Sequence, residues 1–165
     1  SGTVILNQGQ IKFPATQNAS SDANTLDDYE EGTWTPAINL LGTITYNDQS
    51  GRYTKIGNLV TCTFSLTVSS SDSTQDANAV YITGLPFTVG YSKYSAICTE
   101  RCYGLQSTTA PHIFYISPTG GTSQCTIIDN VYNGPIALAS YYQSHQRYIY
   151  KGGSMYINWT FSYTV

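Results

Sequence analysis

The chain has 165 residues, a mass of 18.0 kDa and a formal net charge of −3, with seven Lys plus Arg against ten Asp plus Glu. This length fits one domain with one core. Charged residues make up only 10%, so the cationic surface that binds a phosphate backbone is missing. We therefore expect no nucleic acid as a partner. No apolar run approaches the roughly 18 residues that cross a bilayer, so we expect no membrane insertion either.

Residues 1–25 differ in character from the rest. Two short extended runs, Val4 to Leu6 and Gln10 to Phe13, precede a Ser/Asn/Ala segment that is too polar to pack alone. Strands this short are not stable in water without partners. We therefore interpret residues 1–25 as the end of a shaft and a linker, where several copies of the chain supply each other's partners, and residues 26–165 as the domain.

The stretch LDDYEEGTWTP, Leu26 to Pro36, contains four carboxylates within five residues. They are Asp27, Asp28, Glu30 and Glu31. A glycosidase pair or a calcium site would use such groups, but no second acidic cluster converges with this one and the pattern D-x-D-x-D-G is absent. We favour a structural role, in which Gly32 and Pro36 shape a turn into the domain and Trp34 anchors it.

Alternating apolar and polar side chains predict strands through the rest of the chain. Leu59 to Val68 and Ser154 to Val165 each place apolar residues on one face, as in a strand that borders a core. We interpret Asn47 to Gly51, before the first of these runs, as a hairpin loop, and Ser69 to Asn78, after it, as a polar excursion. Shorter strands are predicted at Tyr94 to Tyr103, His112 to Ser117, Thr122 to Asp129 and Arg147 to Lys151.

Turn signals complete the fold prediction. Gly120-Gly121 and Gly152-Gly153 are candidates for tight hairpins, because both central positions of a type I′ turn need positive φ. No segment shows a sustained apolar stripe of helical period. The predicted fold is therefore all-β, an antiparallel β-sandwich of jelly-roll-like form.

The cysteines, histidines and serines do not form a catalytic, cofactor-binding or metal-binding motif. The spacings of Cys62, Cys98, Cys102 and Cys125 match no zinc ribbon; we expect semi-buried thiols, with a distant Cys62–Cys125 pair left open. Neither His112 nor His145 has another ligand at metal-binding spacing. Since no G-x-S-x-G pattern is present either, we predict no catalytic residue, no cofactor and no metal.

Several blocks of the chain resemble the carboxy-terminal domain of bacteriophage tail fibres and tailspikes. They are LDDYEEGTWTPAI, GRYTKIGNLVTCTFSLTV (Gly51 to Val68), VYITGLPF (Val80 to Phe87) and GGSMYINWTFSYTV. The segment IKFPATQNASSDANTLDDYEEGTWTP is similar to the join between shaft and domain in such proteins. The resemblance implies a homotrimeric module at the distal tip of a fibre on the virion, extracellular after release from the host, which serves trimerisation, attachment to the bacterial surface, or both.

Three functions follow as expectations. The first is attachment to a bacterial surface polysaccharide, because exposed aromatic and amide residues suit sugar rings and hydroxyls. The second is a trimerisation and folding clamp without receptor binding. The third, which we favour least, is a glycan-degrading enzyme.

The stretch SYYQSHQRYIY, Ser140 to Tyr150, is the candidate glycan site. Its tyrosines have strand propensity and are explained in part as sheet residues. Alternatively, residues 141–147 form a loop at the fibre tip. In that loop Tyr141, Tyr142 and His145 would be a sugar platform, and Arg147 would bind a hydroxyl or a carboxylate of the sugar.

Overall fold

A computed structural model of the chain describes residues 6, 8–22, 24–39, 43–71, 80–91, 95–97, 102–103, 112–131 and 155–165. These residues are all-β, and they contain no helix. The strands are β1 (Tyr29–Trp34), β2 (Ala37–Asn39), β3 (Ile44–Ile56), β4 (Leu59–Ser71), β5 (Val80–Thr83), β6 (Ser95–Ile97), β7 (Cys102–Tyr103), β8 (His112–Pro118), β9 (Gln124–Val131) and β10 (Met155–Thr164).

The strands form two antiparallel sheets of five strands each. The first sheet has the order β1-β3-β4-β10-β7 and the second the order β2-β5-β9-β8-β6. The chain leaves the first sheet after Trp34 and enters the second at Ala37, so residues 35 and 36 form the corner between them. The prediction of an all-β fold with antiparallel sheets is confirmed.

The longest hairpin joins β3 and β4 and corrects one sequence prediction. Ile56 pairs with Leu59, so the turn has two residues, and Gly57 has a φ of 55°, as the first central position of a type II′ turn requires. Asn47 to Gly51, predicted as the hairpin loop, lies inside β3 instead. Residues of turn-like composition fit in this strand because the pairing of β3 with β4 shifts register on both sides of Tyr46. A β-bulge there leaves one residue unpaired.

Of the two residues predicted to shape the turn into the domain, Pro36 lies between strands, but Gly32 does not. Gly32 lies within β1 and pairs with Tyr53. A Cβ at Gly32 would stand 2.7 Å from the Tyr53 hydroxyl oxygen, so the glycine makes room for this ring. Trp34 is buried, with 7% of its surface exposed, and its predicted role as an anchor is confirmed.

Side chains from both sheets form one hydrophobic cluster. In β4 the predicted alternation holds, since Val60, Leu66 and Val68 are fully buried. The second sheet contributes Ile82 and Ile116. Four rings pack edge to face with centroids 5.5 to 6.5 Å apart, the arrangement that aromatic quadrupoles prefer. These rings belong to Trp34, Phe64, Trp159 and Phe161.

The two cysteines with described side chains are buried thiols. Cys62 is fully buried, and burial raises its pKa to about 12. Cys125 is also buried and donates its thiol to the Ile82 carbonyl at 3.8 Å. The pair that the sequence left open between these two residues is not formed. Cys98 and the Cys102 side chain lie outside the described residues.

The remaining predicted elements have mixed outcomes. His112 to Ser117 and Thr122 to Asp129 are confirmed as β8 and β9. Tyr94 to Tyr103 holds two short strands, β6 and β7, in different sheets. Gly120-Gly121 lies between β8 and β9, but only Gly121 has a positive φ, 74°, so the type I′ prediction is wrong. Gly152-Gly153 and Arg147 to Lys151 lie outside the described residues.

The described part of residues 1–25 contains no strand. Leu6 and Ile11 are exposed by 50% and 65%. The Phe13 ring packs against Tyr29 of β1 with centroids 6.2 Å apart. The division at residue 25 stays a prediction.

Candidate functional site

The predicted glycan site lies outside the residues that the structure describes. Tyr141, Tyr142, His145 and Arg147 all fall within residues 132–154. The sugar platform therefore stays a prediction. The described residues offer two other candidates, the carboxylates at the start of the domain and one face of the first sheet.

The four carboxylates of LDDYEEGTWTP have separate partners. Asp28 forms a buried salt bridge with Lys55, and each of the two residues is at most 6% exposed. The Lys55 ammonium also lies 5.7 Å from the centroid of the Phe87 ring, within cation–π range. A buried charge without its partner is costly, so this pair fixes the start of β1 to β3.

The other three carboxylates accept hydrogen bonds. Tyr53 donates to Glu30 at 2.5 Å, which raises the Tyr53 pKa to about 12, with burial and the charge of Glu30 as further causes. Tyr29 donates to Glu31 at 2.8 Å. Asp27 accepts from the Ser20 amide at 2.7 Å, the main cause that lowers the Asp27 pKa.

These contacts explain the acidic cluster as a structural feature. The carboxylates fasten β1 to β3 and the preceding segment to the domain. Within the described ranges, no three His, Cys, Asp or Glu side chains lie together as a metal site requires. No helix in this part of the chain is long or apolar enough to span a bilayer.

The second candidate is the outer face of the first sheet, the face that points away from the hydrophobic cluster. Antiparallel register places side chains of neighbouring strands in rows on this face. The central row is Thr33, Arg52, Thr63 and Thr160, and the row beside it is Ser50, Ser65 and Asn158. Hydroxyl, amide and guanidinium groups therefore cover the middle of the face.

Two grooves lie on this face, one on each side of Arg52. The larger has a volume of about 480 Å³ and the smaller about 360 Å³. Both are lined by Thr33, Arg52 and Thr63. The larger groove is also lined by Thr35, Gln49, Ser50, Ser65 and Asn158, and the smaller by Glu31, Thr54 and Thr61.

The charges around the grooves are few. The Arg52 side chain is exposed and has no salt bridge within the described part of the chain. Glu31 lines only the smaller groove, and its carboxylate accepts the Tyr29 hydroxyl. No acidic residue lines the larger groove, although Asp48 accepts the Ser50 hydroxyl at its edge, 3.3 Å away.

This arrangement suits a polar ligand with many hydroxyl groups. A hydroxyl side chain both donates and accepts, an amide does both through separate atoms, and a guanidinium offers five donors. Sugar hydroxyls need that mixture, and a sugar carboxylate would pair with the Arg52 fork. Neither groove is lined by a histidine or a cysteine, and the Ser50 hydroxyl is engaged with Asp48.

Sequence reasoning missed Arg52 as a site residue. The alternation of β4 showed that Thr61, Thr63 and Ser65 share a face. It did not show that Arg52 lies opposite Thr63, because this depends on where the β3–β4 turn falls. The glycine at position 57, followed by Asn58 and an apolar alternating run, is the signal that could have placed the turn.

Comparisons of the chain with protein-family models, with curated proteins and with solved structures gave no match.

Proposed function

We propose that the chain is the distal module of a bacteriophage tail fibre or tailspike. It forms a homotrimer and attaches the virion to the bacterial surface by binding a polysaccharide. In this proposal the two sheets are the layers of a jelly-roll-like β-sandwich, and the face of the first sheet that lies away from the core is open to ligand. The module is extracellular after release of the virion, and it binds the glycan without cleaving it.

The observation that carries the proposal is the pair of hydroxyl-lined grooves beside Arg52. Five side-chain hydroxyls line the larger groove together with two amides and the guanidinium. A groove of about 480 Å³ falls in the range of ligand sites, roughly 300 to 1,000 Å³. The resemblance of Gly51 to Val68 to phage tail proteins supports the same function, since this block contributes Arg52, Thr63 and Ser65 to the groove.

Trimerisation strengthens the proposed attachment. A shallow polar groove gains little free energy per sugar, because ligand and protein both lose hydrogen bonds to water. Three copies on one fibre would bind a repeating polysaccharide at several points, and linked sites raise avidity by orders of magnitude. Weak single sites are therefore compatible with firm attachment of a virion.

One alternative draws on a separate observation. Exposed apolar side chains collect at the end of the first sheet where the N-terminal segment joins it, which favours a trimerisation clamp that leaves recognition to another part of the fibre. The enzyme alternative finds less support, because Asp27, Asp28, Glu30 and Glu31 all have structural partners.

Adsorption to cells tests the proposal. Fluorescently labelled protein is mixed with a panel of bacterial strains that differ in surface polysaccharide, and bound fluorescence is measured. We expect binding to a subset of strains, lost after periodate oxidation of the cells and retained after protease treatment. A trimer that binds no strain would instead favour the clamp. Binding that protease abolishes and periodate spares would contradict a polysaccharide receptor.

A further inference from the structure

The exposed apolar side chains of the described residues are concentrated at one end of the molecule. Six of the eight large ones lie in the N-terminal segment or where it meets the first sheet. Single exposed hydrophobic residues need no explanation, whereas a contiguous patch marks an interaction surface. The six are Leu6, Ile11, Leu26, Tyr29, Ile56 and Leu59.

Three of these residues form a row across neighbouring strands. Tyr29 of β1 pairs with Ile56 of β3, which pairs with Leu59 of β4. They are exposed by 39%, 51% and 47%. We call these three residues the apolar row; it occupies the outer face beside the Gly57-Asn58 turn, at one end of the face that carries the grooves.

The chain's own N-terminal segment does not cover the apolar row. Phe13 contacts Tyr29, yet Ile56 and Leu59 stay about half exposed. Ile11, only two residues before Phe13, is 65% exposed. Each copy therefore displays both an apolar segment and an apolar row, and contact between copies would bury both at once.

Charge complements this apolar match. Lys12 is the only charged residue between Leu6 and Ser21, and it lies between Ile11 and Phe13. The strand that holds Tyr29 also holds Glu31 on the same face, and Asp27 precedes it. A segment with one cation would thus approach an acidic strand end, which favours this docking over the approach of an acidic partner.

We infer that residues 8–12 of one copy bind the apolar row of a second copy, while Phe13 keeps its contact with Tyr29 of its own chain, so that the segments pass between chains around the trimer. The occupant of the row is a neighbouring copy of this chain, with Ile11 packed against Ile56 and Leu59 and with Lys12 facing Glu31. In the proposed homotrimer, three such heterologous contacts form a closed ring. The inference rests on the homotrimer of the proposed function and adds the surface and the segment that build it.

Cross-linking tests whether the N-terminal segment of one copy binds the apolar row of another. The double variant Ile11→Cys/Ile56→Cys is treated with a short bismaleimide and separated on a denaturing gel. We expect covalent species of two and three chains, up to three times 18.0 kDa. The single variants Ile11→Cys and Ile56→Cys are the controls for the native cysteines, and they should give only the single-chain band. Cross-links confined to one chain, or ladders equally strong in the single variants, would overturn the inference.

A second measurement does not depend on cross-linking. Leu59→Ser removes half-exposed apolar surface, so folding should persist while the trimer dissociates at a protein concentration at least tenfold higher by light scattering. Thr54→Ser, on the adjoining row of the same strand pair, is the control and should not change dissociation. A trimer unaffected by Leu59→Ser would overturn the inference. If the unaltered chain is monomeric, both this inference and the proposed homotrimer are wrong. The proposed attachment to bacteria is tested separately, by adsorption to cells.

Discussion

At the scale of single residues, a close contact with Trp34 accounts for Gly51 in the first sheet. Gly51 pairs with Trp34 across β1 and β3. A Cβ at Gly51 would lie 2.5 Å from the indole nitrogen of Trp34, which donates to the Arg52 carbonyl at 3.3 Å. The glycine therefore lets the indole lie flat across the strand and reach into the core.

Gly51→Ala is expected to destabilise the protein. The indole must shift away from the added methyl group, and overpacking of this kind costs roughly 1 to 3 kcal/mol. Chemical denaturation followed by tryptophan fluorescence measures the loss. Ser50→Ala, one residue away and exposed, is the control and should stay within about 0.5 kcal/mol of the unaltered protein. Equal stability of both variants would show that the indole is not held there.

The buried salt bridge between Asp28 and Lys55 gives the second prediction. Lys55→Met leaves the Asp28 carboxylate buried without a cation, at a cost of about 3 to 5 kcal/mol. The double variant Asp28→Leu/Lys55→Met should be more stable than Lys55→Met, since no buried charge remains. Urea titrations of the variants measure both effects. A loss below about 1 kcal/mol in Lys55→Met would mean that the pair behaves as a surface salt bridge.

Two raised pKa values predict a loss of stability in alkaline solution. The Cys62 pKa rises from 9.0 to about 12 through burial, and the Tyr53 pKa rises from 10.0 to about 12 chiefly through its hydrogen bond to Glu30. The folded state keeps protons that the unfolded chain releases, so these contributions are complete below pH 9 and are lost as pH rises towards 12.

The Cys62→Val variant separates the two groups. It should fold, because Cys62 serves as a small buried hydrophobic residue. Its unfolding free energy should begin to fall near pH 10 instead of pH 9, since only the tyrosine contribution remains. Denaturation curves at a series of pH values measure the onset. An onset at pH 9 in both proteins would assign the effect to another group.

At the scale of strands, those that bury one face in the core could be predicted from the sequence. The features that depend on the register between strands could not. β4 and β10 were predictable because one face of each borders the core and alternates with polar side chains. The middle of β3 was not, because Asn47, Asp48 and Ser50 have turn-like composition although they lie in a bulged strand. The groove beside Arg52 depends on that register, so the pattern of a single strand could not reveal it.

The hairpin turn gives a prediction at this scale. Gly57→Ala forces a side chain into a φ of 55°, which costs roughly 1 to 2 kcal/mol. Thermal unfolding should show a lower midpoint. Gly9→Ala is a matched control, because its Cβ would meet only Leu6 at ordinary contact distance, 3.7 Å. Similar midpoints for Gly57→Ala and the unaltered protein would mean that the turn adopts another conformation.

At the scale of the whole molecule, the outer face of the first sheet divides into two parts. The apolar row of Tyr29, Ile56 and Leu59 lies at one end, and the grooves beside Arg52 lie in the middle. We propose that the first part assembles the trimer and that the second binds polysaccharide. Assembly would thus hold three groove-bearing faces at fixed positions around one fibre axis.

Binding of extracted surface polysaccharide to Arg52→Ala tests this account most directly. Polysaccharides from the strains that adsorb the protein are immobilised, and binding of the trimer is measured by interferometry. We predict that Arg52→Ala weakens binding at least about tenfold, since a charge-assisted hydrogen bond contributes roughly 1.5 to 3 kcal/mol. Asn39→Ala, which changes an exposed residue of the second sheet away from the grooves and from the proposed trimer contact, should bind like the unaltered protein. Equal binding by Arg52→Ala and the unaltered trimer would contradict the account.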